Sequence, residues 1–463
     1  MTHPTLTVDN PFSGELACEV PLLDLPSALR ALERCAQAQR AWADSVIPER
    51  VALIRKFADA FVAEKETAAL DISRMMGKPL AQARAEVETL AARARALAEQ
   101  APEALAEVDL PKGGFARSVT REPLGVVLVI APWNYPLLTA VNAVAAAVLA
   151  GNGVLLKHSS RTPLCGFQFE AAFRRAGAPE GLVQSLQAGH ADCGALIERA
   201  EVGFVAFTGS VSGGREIQAA AARRFMGIGL ELGGKDAAYV AEDADVTWAA
   251  EQLADGAFYN AGQSCCGVKR IFIHERHYDR FLEALLGHAQ AYRLGDPIDP
   301  ATTLGPLASK GAPEELAAQV RDAAGEGARL LCGGAPTQVE GRGRFFPPTV
   351  VADARPAMAV MDDESFGPLV ALARVSGDEE AVSLINRSRF GLTASLWTPD
   401  AARARRIGRR LEVGTVFMNR CDQLDPWLPW VGVKDSGRGQ SLSRWGILEL
   451  TRPKSYHFKL QSR

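Results

Sequence analysis

Residues 124–157 read LGVVLVIAPWNYPLLTAVNAVAAAVLAGNGVLLK, with no charged side chain before the final Lys157. A run of that length would span a bilayer if it were one helix. Its interior argues otherwise, because Pro132, Asn134, Pro136, Asn142, Gly151 and Asn152 divide it into Gly125 to Ile130, Pro136 to Leu149 and Val154 to Leu156. The pattern predicts strand, helix, strand. Strands covered by helices on both faces are continuous apolar runs, so the stretch reads as a buried βαβ unit of a parallel sheet.

Working outward, Leu29, Leu32 and Ala36 fall at helical spacing, and Pro48 opens a second segment in which Ile54, Ala58 and Phe61 repeat it. The first hundred residues are expected to be largely helical. Phe115 to Thr120 and Lys454 to Leu460 alternate and predict two strands of an arm. Gly203 to Phe207, Ile228 to Leu232 and Ala237 to Val240 are further strand-like segments, each meeting a glycine or a helical signal. The order of elements is that of an α/β protein.

Composition narrows the function. A chain of 463 residues implies two or three domains. Its 54 acidic and 51 basic residues give no electrostatic footprint for nucleic acid or an anionic membrane, which favours small-molecule chemistry. The eight cysteines form no C-x-x-C pair and no Cys/His cluster at zinc spacing, so a reduced compartment is expected and no metal site. Met1 to Glu15 lacks a basic segment followed by an apolar one, which makes the cytoplasm the expected location.

Three segments carry chemistry. Gly262-Gln263-Ser264-Cys265-Cys266-Gly267 offers a thiol in a glycine-rich turn. Leu230-Glu231-Leu232-Gly233-Gly234-Lys235 ends an apolar strand on a carboxylate just before a turn that lets backbone approach closely. Ala131-Pro132-Trp133-Asn134-Tyr135-Pro136 puts an uncharged amide donor in the loop after a buried strand, where α/β proteins build sites. Together they supply a nucleophile, a base and an oxyanion donor.

These segments resemble the aldehyde dehydrogenase superfamily. So do Lys157, Phe207-Thr208-Gly209-Ser210, Gly305-Pro306-Leu307, Glu364-Ser365-Phe366-Gly367-Pro368 and Gly391-Leu392-Thr393-Ala394, in the same order and spacing. The resemblance implies an aldehyde-dehydrogenase-like α/β fold: a Rossmann-like dinucleotide-binding domain at 1–104 and 124–233, a catalytic domain at 234–447, and a small β oligomerisation arm at 105–123 and 448–463. It implies a homodimer or homotetramer. It makes Cys265 the nucleophile that forms a thiohemiacetal and then a thioester, Asn134 the oxyanion donor and Glu231 the base that activates water for deacylation. The cofactor, NADP or NAD, is expected to meet Trp133, Lys157, Ser160, Gly209, Ser210, Gly214, Glu364 and Phe366. Ser160 stands where many relatives carry a ribose-binding glutamate, which predicts acceptance of NADP, with Arg161 helping if it turns inward.

The same resemblance places Tyr135, Leu138, Asn142, Tyr259, Leu424 and Trp430 along the substrate tunnel, which suggests an apolar or aromatic aldehyde. Asn142 stands where relatives acting on succinic semialdehyde often carry an arginine, so a free-acid semialdehyde is disfavoured. An amino-aldehyde or a semialdehyde dehydrogenase stands as the alternative, the former kept open by Asp422 and Asp425, with Arg420 offsetting their field. Glu231 argues against acyl transfer to coenzyme A, and the retained thiol and glutamate argue against a non-catalytic member. The chain departs from the family at Ala143 and Ser441, where many relatives carry a lysine and a glutamate of a proton-exit path.

Overall fold

The computed structural model describes residues 4–460; residues 1–3 and 461–463, the extreme ends of the expected 1–104 and 448–463 segments, lie outside the described residues. The opening stretch folds as strand Val126–Ala131, helix Leu138–Leu149 and strand Gly153–His158, both strands buried along their whole length. The chain turns back at Gly151, whose φ of 87° lies in the left-handed region that suits glycine. Asn152 fastens that turn by accepting from the Leu124 and Gly125 amides and donating to the Leu450 carbonyl.

Those strands lie in a six-stranded sheet ordered Gly437–Arg438, Gly227–Glu231, Val202–Thr208, Val126–Ala131, Gly153–His158 and Val183–Leu186. All its pairs are parallel except that of Gly437–Arg438 with Gly227–Glu231. From Val126–Ala131 the chain proceeds outward in one direction and then returns to build in the other. The crevice therefore opens at the carboxyl ends of Val126–Ala131 and Val202–Thr208, the switch point where open α/β sheets bind ligands. A second, seven-stranded sheet runs Arg329–Cys332, Thr349–Ala352, Leu369–Val375, Val268–His274, Asp236–Val240, Thr393–Trp397 and Thr415–Met418, antiparallel only at its first pair. Thr451–Lys459 pairs antiparallel with Phe115–Pro123 from end to end, and Val108–Asp109 adds a third strand. Among the described residues no helix is long and apolar enough to cross a membrane.

Four helices, Leu25–Ala43, Ile47–Val62, Lys65–Met76 and Leu80–Ala104, fill most of the first hundred residues. The sequence reading missed the antiparallel hairpin before them, Thr5–Asp9 with Leu16–Pro21. Leu80–Ala104 packs along Leu138–Leu149 and carries Glu86, whose carboxylate accepts from the Leu137 and Leu138 amides at 2.9 and 3.3 Å. That places a negative charge at the helix amino terminus directly after the Asn134 loop. Lys78 pairs with Glu86 in the interior and sits 4.2 Å from the Tyr135 ring centroid. Removing one member of a buried pair strands the other charge. Lys78→Met is expected to destabilise the protein by about 3–5 kcal/mol, read as a lower urea midpoint; an unchanged midpoint would show that Glu86 does not depend on this partner.

Candidate active site

The loop carrying Cys265 is built from an unusual run of backbone. Asn260, Ala261 and Gly262 have φ of 53°, 52° and 65°, three successive left-handed residues of which only the glycine is at ease. The surroundings hold them there. Asn260 Nδ2 donates to the carbonyls of Asn134 and Gln263 at 3.0 and 3.3 Å, and Gln263 Oε1 accepts from the Ala308 amide at 2.9 Å. Lys269 Nζ donates to the Gly262 and Gly367 carbonyls at 2.7 Å each, and burial pushes its ammonium down to about 8. Asn260 was not among the residues singled out from sequence. Its signal was present, since asparagine tolerates the left-handed region better than most residues and a glycine follows two positions on.

Cys265 is half-buried and Cys266 fully buried beside it. Cys266 Sγ donates to Asp422 Oδ1 at 2.7 Å, and Ser264 Oγ donates to the same oxygen at 3.1 Å. The hydrogen bond with Cys265, burial and Asp422 all push the Cys266 thiol up. Asn134 Nδ2 donates to the Gln263 carbonyl at 3.1 Å, so the candidate oxyanion donor already lies against the thiol loop. Glu231 ends its strand with Oε2 accepting from Thr208 Oγ1 at 3.2 Å and Oε1 accepting from Ser441 Oγ. Burial holds the Glu231 carboxyl above the ordinary range, against the lowering pull of Ser441, Thr208 and Arg93.

The expected dinucleotide contacts gather around the crevice. Ser210 caps the helix Val211–Ala221, its hydroxyl accepting from the Gly213 amide at 3.1 Å, so this amino terminus faces the carboxyl end of Val202–Thr208. Gly214 lets that helix approach the sheet, since a Cβ there would lie 2.6 Å from Leu232. One at Gly209 would lie 2.6 Å from the Phe207 ring. Lys157 is buried at the end of its strand, and among the described residues no carboxylate lies within ion-pair distance of it. A buried cation near a sheet's carboxyl edge fits an anionic phosphate. Trp133 and Phe366 meet edge to face, centroids 5.5 Å apart. Glu364 Oε1 accepts from the Gly234 amide at 3.1 Å. Ser160 is exposed. Arg161 does not turn inward: its guanidinium holds the Asp9 side chain at 2.5 Å and the Asp9 carbonyl at 2.6 Å.

Beside the thiol lies a cavity of about 420 Å³. Tyr135, Leu138, Asn142, Tyr259, Leu424 and Trp430 all line it, together with Cys265 and Glu231. Asp422 lines it too, and burial pushes its carboxyl up to about 6, whereas Asp425 is exposed and caps a turn through the Trp427 amide. The residue that sequence reading missed here is Arg93. It is 5% exposed, donates to the Leu138 carbonyl at 3.1 Å and to Asn142 Oδ1 at 3.3 Å, and leaves Nε without a partner. No carboxylate among the described residues lies within ion-pair distance of it. The position expected to lack an arginine therefore has one bonded to it from another helix.

A succinate-semialdehyde dehydrogenase (NADP(+)) of Deinococcus radiodurans is 37% identical over 452 residues, 98% of this chain and 94% of that one. A succinate semialdehyde dehydrogenase (NAD(P)+) of Escherichia coli K12 is 37% identical over 441 residues, 95% of each. The crystal structure of a NAD-dependent aldehyde dehydrogenase from Sinorhizobium meliloti matches with a TM-score of 0.96 at 34% identity, over 99% of this chain and 92% of that one. The model of the aldehyde dehydrogenase family matches residues 2–456, and the chain, an oxidoreductase of aldehydes, belongs to that family.

Proposed function

We propose that this aldehyde dehydrogenase converts an aldehyde bearing a carboxylate at its far end into the free diacid, using NADP or NAD. The observation that carries the substrate class is Arg93: a buried guanidinium that lines the cavity, bonded only to neutral oxygens. A buried cation is stable only with a compensating partner, and a planar guanidinium matches a carboxylate bidentately. Glu231 and Glu86 line the same cavity and act on Arg93 only from beyond ion-pair distance, and the substrate's own carboxylate would supply the direct partner. Both relatives described above bear the name of succinate-semialdehyde dehydrogenases. This reading moves from the apolar aldehyde suggested by Asn142 to the acid semialdehyde, because the positive charge comes from the helix Leu80–Ala104 rather than from position 142. Asp422 favours an amino-aldehyde less, since its carboxyl is pushed toward neutrality and already accepts two hydrogen bonds.

The chemistry assigned to the site runs through Cys265. Its thiolate attacks the carbonyl carbon, a C–S bond forms, and the oxygen that takes up the π pair is stabilised by the Asn134 amide and the Cys265 backbone N–H. When bound, the dinucleotide supplies the nicotinamide that accepts a hydride. Lys157, Ser160, Gly209 and Ser210 are assigned to its adenosine and phosphate portions, and Trp133, Glu364 and Phe366 to the nicotinamide half. Gly214 serves the close packing beneath. Glu231 then takes a proton from water as that water adds to the thioester, and collapse expels the Cys265 thiolate.

Three outcomes are expected. Cys265→Ala abolishes turnover, while Cys266→Ala retains much of it; equal losses in steady-state assays would sink the nucleophile assignment. Arg93→Met, with folding checked by circular dichroism, lowers kcat/KM for succinic semialdehyde roughly tenfold to a hundredfold, the value of one or two charge-assisted hydrogen bonds, and leaves butanal little changed. Equal losses with both aldehydes would remove the carboxylate reading. For the cofactor, no acidic residue occurs from Lys157 to Thr162, so nothing there repels a 2′-phosphate. The wild type should use NADP at least comparably to NAD, and Ser160→Glu should shift the ratio of kcat/KM toward NAD. A wild type more than about a hundredfold selective for NAD, roughly 2.7 kcal/mol, or a Glu variant with unchanged preference, would show that Ser160 does not set the choice.

A further inference from the structure

The Gly305-Pro306-Leu307 motif carries none of the chemistry assigned so far, yet it lies directly behind the thiol loop. Its backbone is pressed in from one side: a Cβ at Gly305 would lie 1.8 Å from the Gly77 carbonyl oxygen, and one at Gly77 would lie 2.7 Å from the Pro306 carbonyl oxygen. Leu307 and Ala308 are buried. The Ala308 amide is the group that reaches the site, donating to Gln263 Oε1 at 2.9 Å, while Gln263 Nε2 donates to the Asn260 carbonyl at 3.1 Å. A buried amide side chain held at both ends thus braces the left-handed run that presents Cys265. Backbone held in so sparsely populated a conformation persists only where its surroundings over-determine it.

Arg344, on the strand Arg342–Phe345, fixes the other side of the motif. Its carbonyl accepts from the Leu307 amide at 2.6 Å, and its amide donates to the Pro11 carbonyl at 3.3 Å. The guanidinium donates from Nε to the Leu307 carbonyl at 3.2 Å and from Nη2 to the Ala308 carbonyl at 2.9 Å. Nη1 donates to Asp9 Oδ2, and the other Asp9 oxygen is taken by Arg161. A planar fork of N–H groups serves three acceptors at fixed angles, which a lysine cannot do. Burial pushes the Asp9 carboxyl up, but the bonds from Arg161 and Arg344 hold it down at about 2, so it stays ionised at any assay pH. The Arg344 and Asp9 side chains are 17% and 25% exposed, more shielded than the surface ion pairs that contribute little.

We infer that Arg344 is a positioning residue for the nucleophile: anchored by Asp9, it orients the backbone of Leu307 and Ala308, and Ala308 through Gln263 sets the posture of the loop that carries Cys265. Arg344 does not line the cavity beside the thiol, so it acts on the attack and on hydride transfer rather than on substrate binding. Asp9 acts one step further out, through Arg344. The antiparallel hairpin that carries Asp9 is in this way part of the support of the active site.

The inference rests on Cys265 being the nucleophile, and the test separates the two. The rate of the first dinucleotide reduction is measured in single turnovers, with whichever of butanal and succinic semialdehyde the wild type oxidises faster. The variants are Cys265→Ala, Arg344→Met, Arg344→Lys, Asp9→Asn, the Asp9→Asn/Arg344→Met double, and Asp378→Asn, which breaks the Arg403 pair outside this network. Arg344→Met is expected to slow the first reduction roughly tenfold, within the loss that a small misplacement of reacting groups produces. The KM values for aldehyde and dinucleotide should stay within about twofold of wild type, the signature of an effect on the chemical step. Arg344→Lys and Asp9→Asn slow it less, and the double variant is no slower than Arg344→Met alone, because residues that act in series are not additive. Asp378→Asn lowers Tm without slowing the reduction. A wild-type rate in Arg344→Met, a slowing that Asp378→Asn shares, or additive losses in the double variant would overturn the inference. Should Arg344→Met fail to fold, wild-type rates in both Arg344→Lys and Asp9→Asn would overturn it equally. A first reduction retained in Cys265→Ala would instead remove the nucleophile beneath it.

Discussion

The site depends on one close approach of backbone, at Gly233 and Gly234. A Cβ at Gly234 would lie 2.2 Å from the Cys265 carbonyl oxygen, and one at Gly233 would lie 2.4 Å from Glu364 Oε1. No side chain fits at Gly234, where the neighbour is backbone, and one at Gly233 would displace the Glu364 carboxylate. These two residues connect the strand that ends at Glu231, in one sheet, to the strand that begins at Asp236, in the other. Because they carry nothing, the carboxylate, the thiol loop and the Glu364 loop converge on one junction between two sheets. Gly437 repeats the device on the other side, with a φ of 129° and a would-be Cβ 1.9 Å from the Leu230 carbonyl oxygen, which lets the strand before Ser441 pair beside Glu231.

Close packing there also removes water, and the consequence is electrostatic. Glu231, Glu364, Arg93, Lys157 and Lys269 are all held in surroundings that penalise their charged forms. A group that must ionise to work is useful in such a place only if its neighbours offset the penalty. Ser441 and Thr208 do so for Glu231, and backbone carbonyls do so for Lys269. Arg93 and Lys157 have no carboxylate partner among the described residues, and they border the two regions assigned to anionic ligands. Arg93 also lowers the Glu231 carboxyl from the neighbouring helix, acting from beyond ion-pair distance.

Much of this was legible in the sequence, for reasons that also explain what was not. The run from Leu124 to Lys157 declared itself because a strand covered on both faces needs continuous apolar residues. The loops after strands could be placed because glycine, proline and asparagine mark them. Arg93 could not, because Ala91-Ala92-Arg93-Ala94-Arg95 reads as a solvated helix face. Arg95 is indeed exposed and pairs with Asp59, while Arg93 is buried by the docking of a helix that local pattern cannot orient. Arg161 shows the converse: its place near Ser160 suggested a phosphate, but Asp9, from a hairpin that sequence reading missed, takes up its guanidinium. Three left-handed residues in a row at Asn260 to Gly262 depend on contacts from Asn134, Ala308 and Gly367, all distant in sequence.

The account stands on a covalent intermediate at Cys265 that Glu231 hydrolyses. Its most direct test is intact mass spectrometry with peptide mapping on Glu231→Gln after mixing with succinic semialdehyde and dinucleotide. The account predicts one stoichiometric burst of reduced cofactor and a succinyl adduct confined to Cys265, persisting as turnover stalls. A variant that gives neither burst nor adduct, or one that carries the adduct on Cys266, would contradict it.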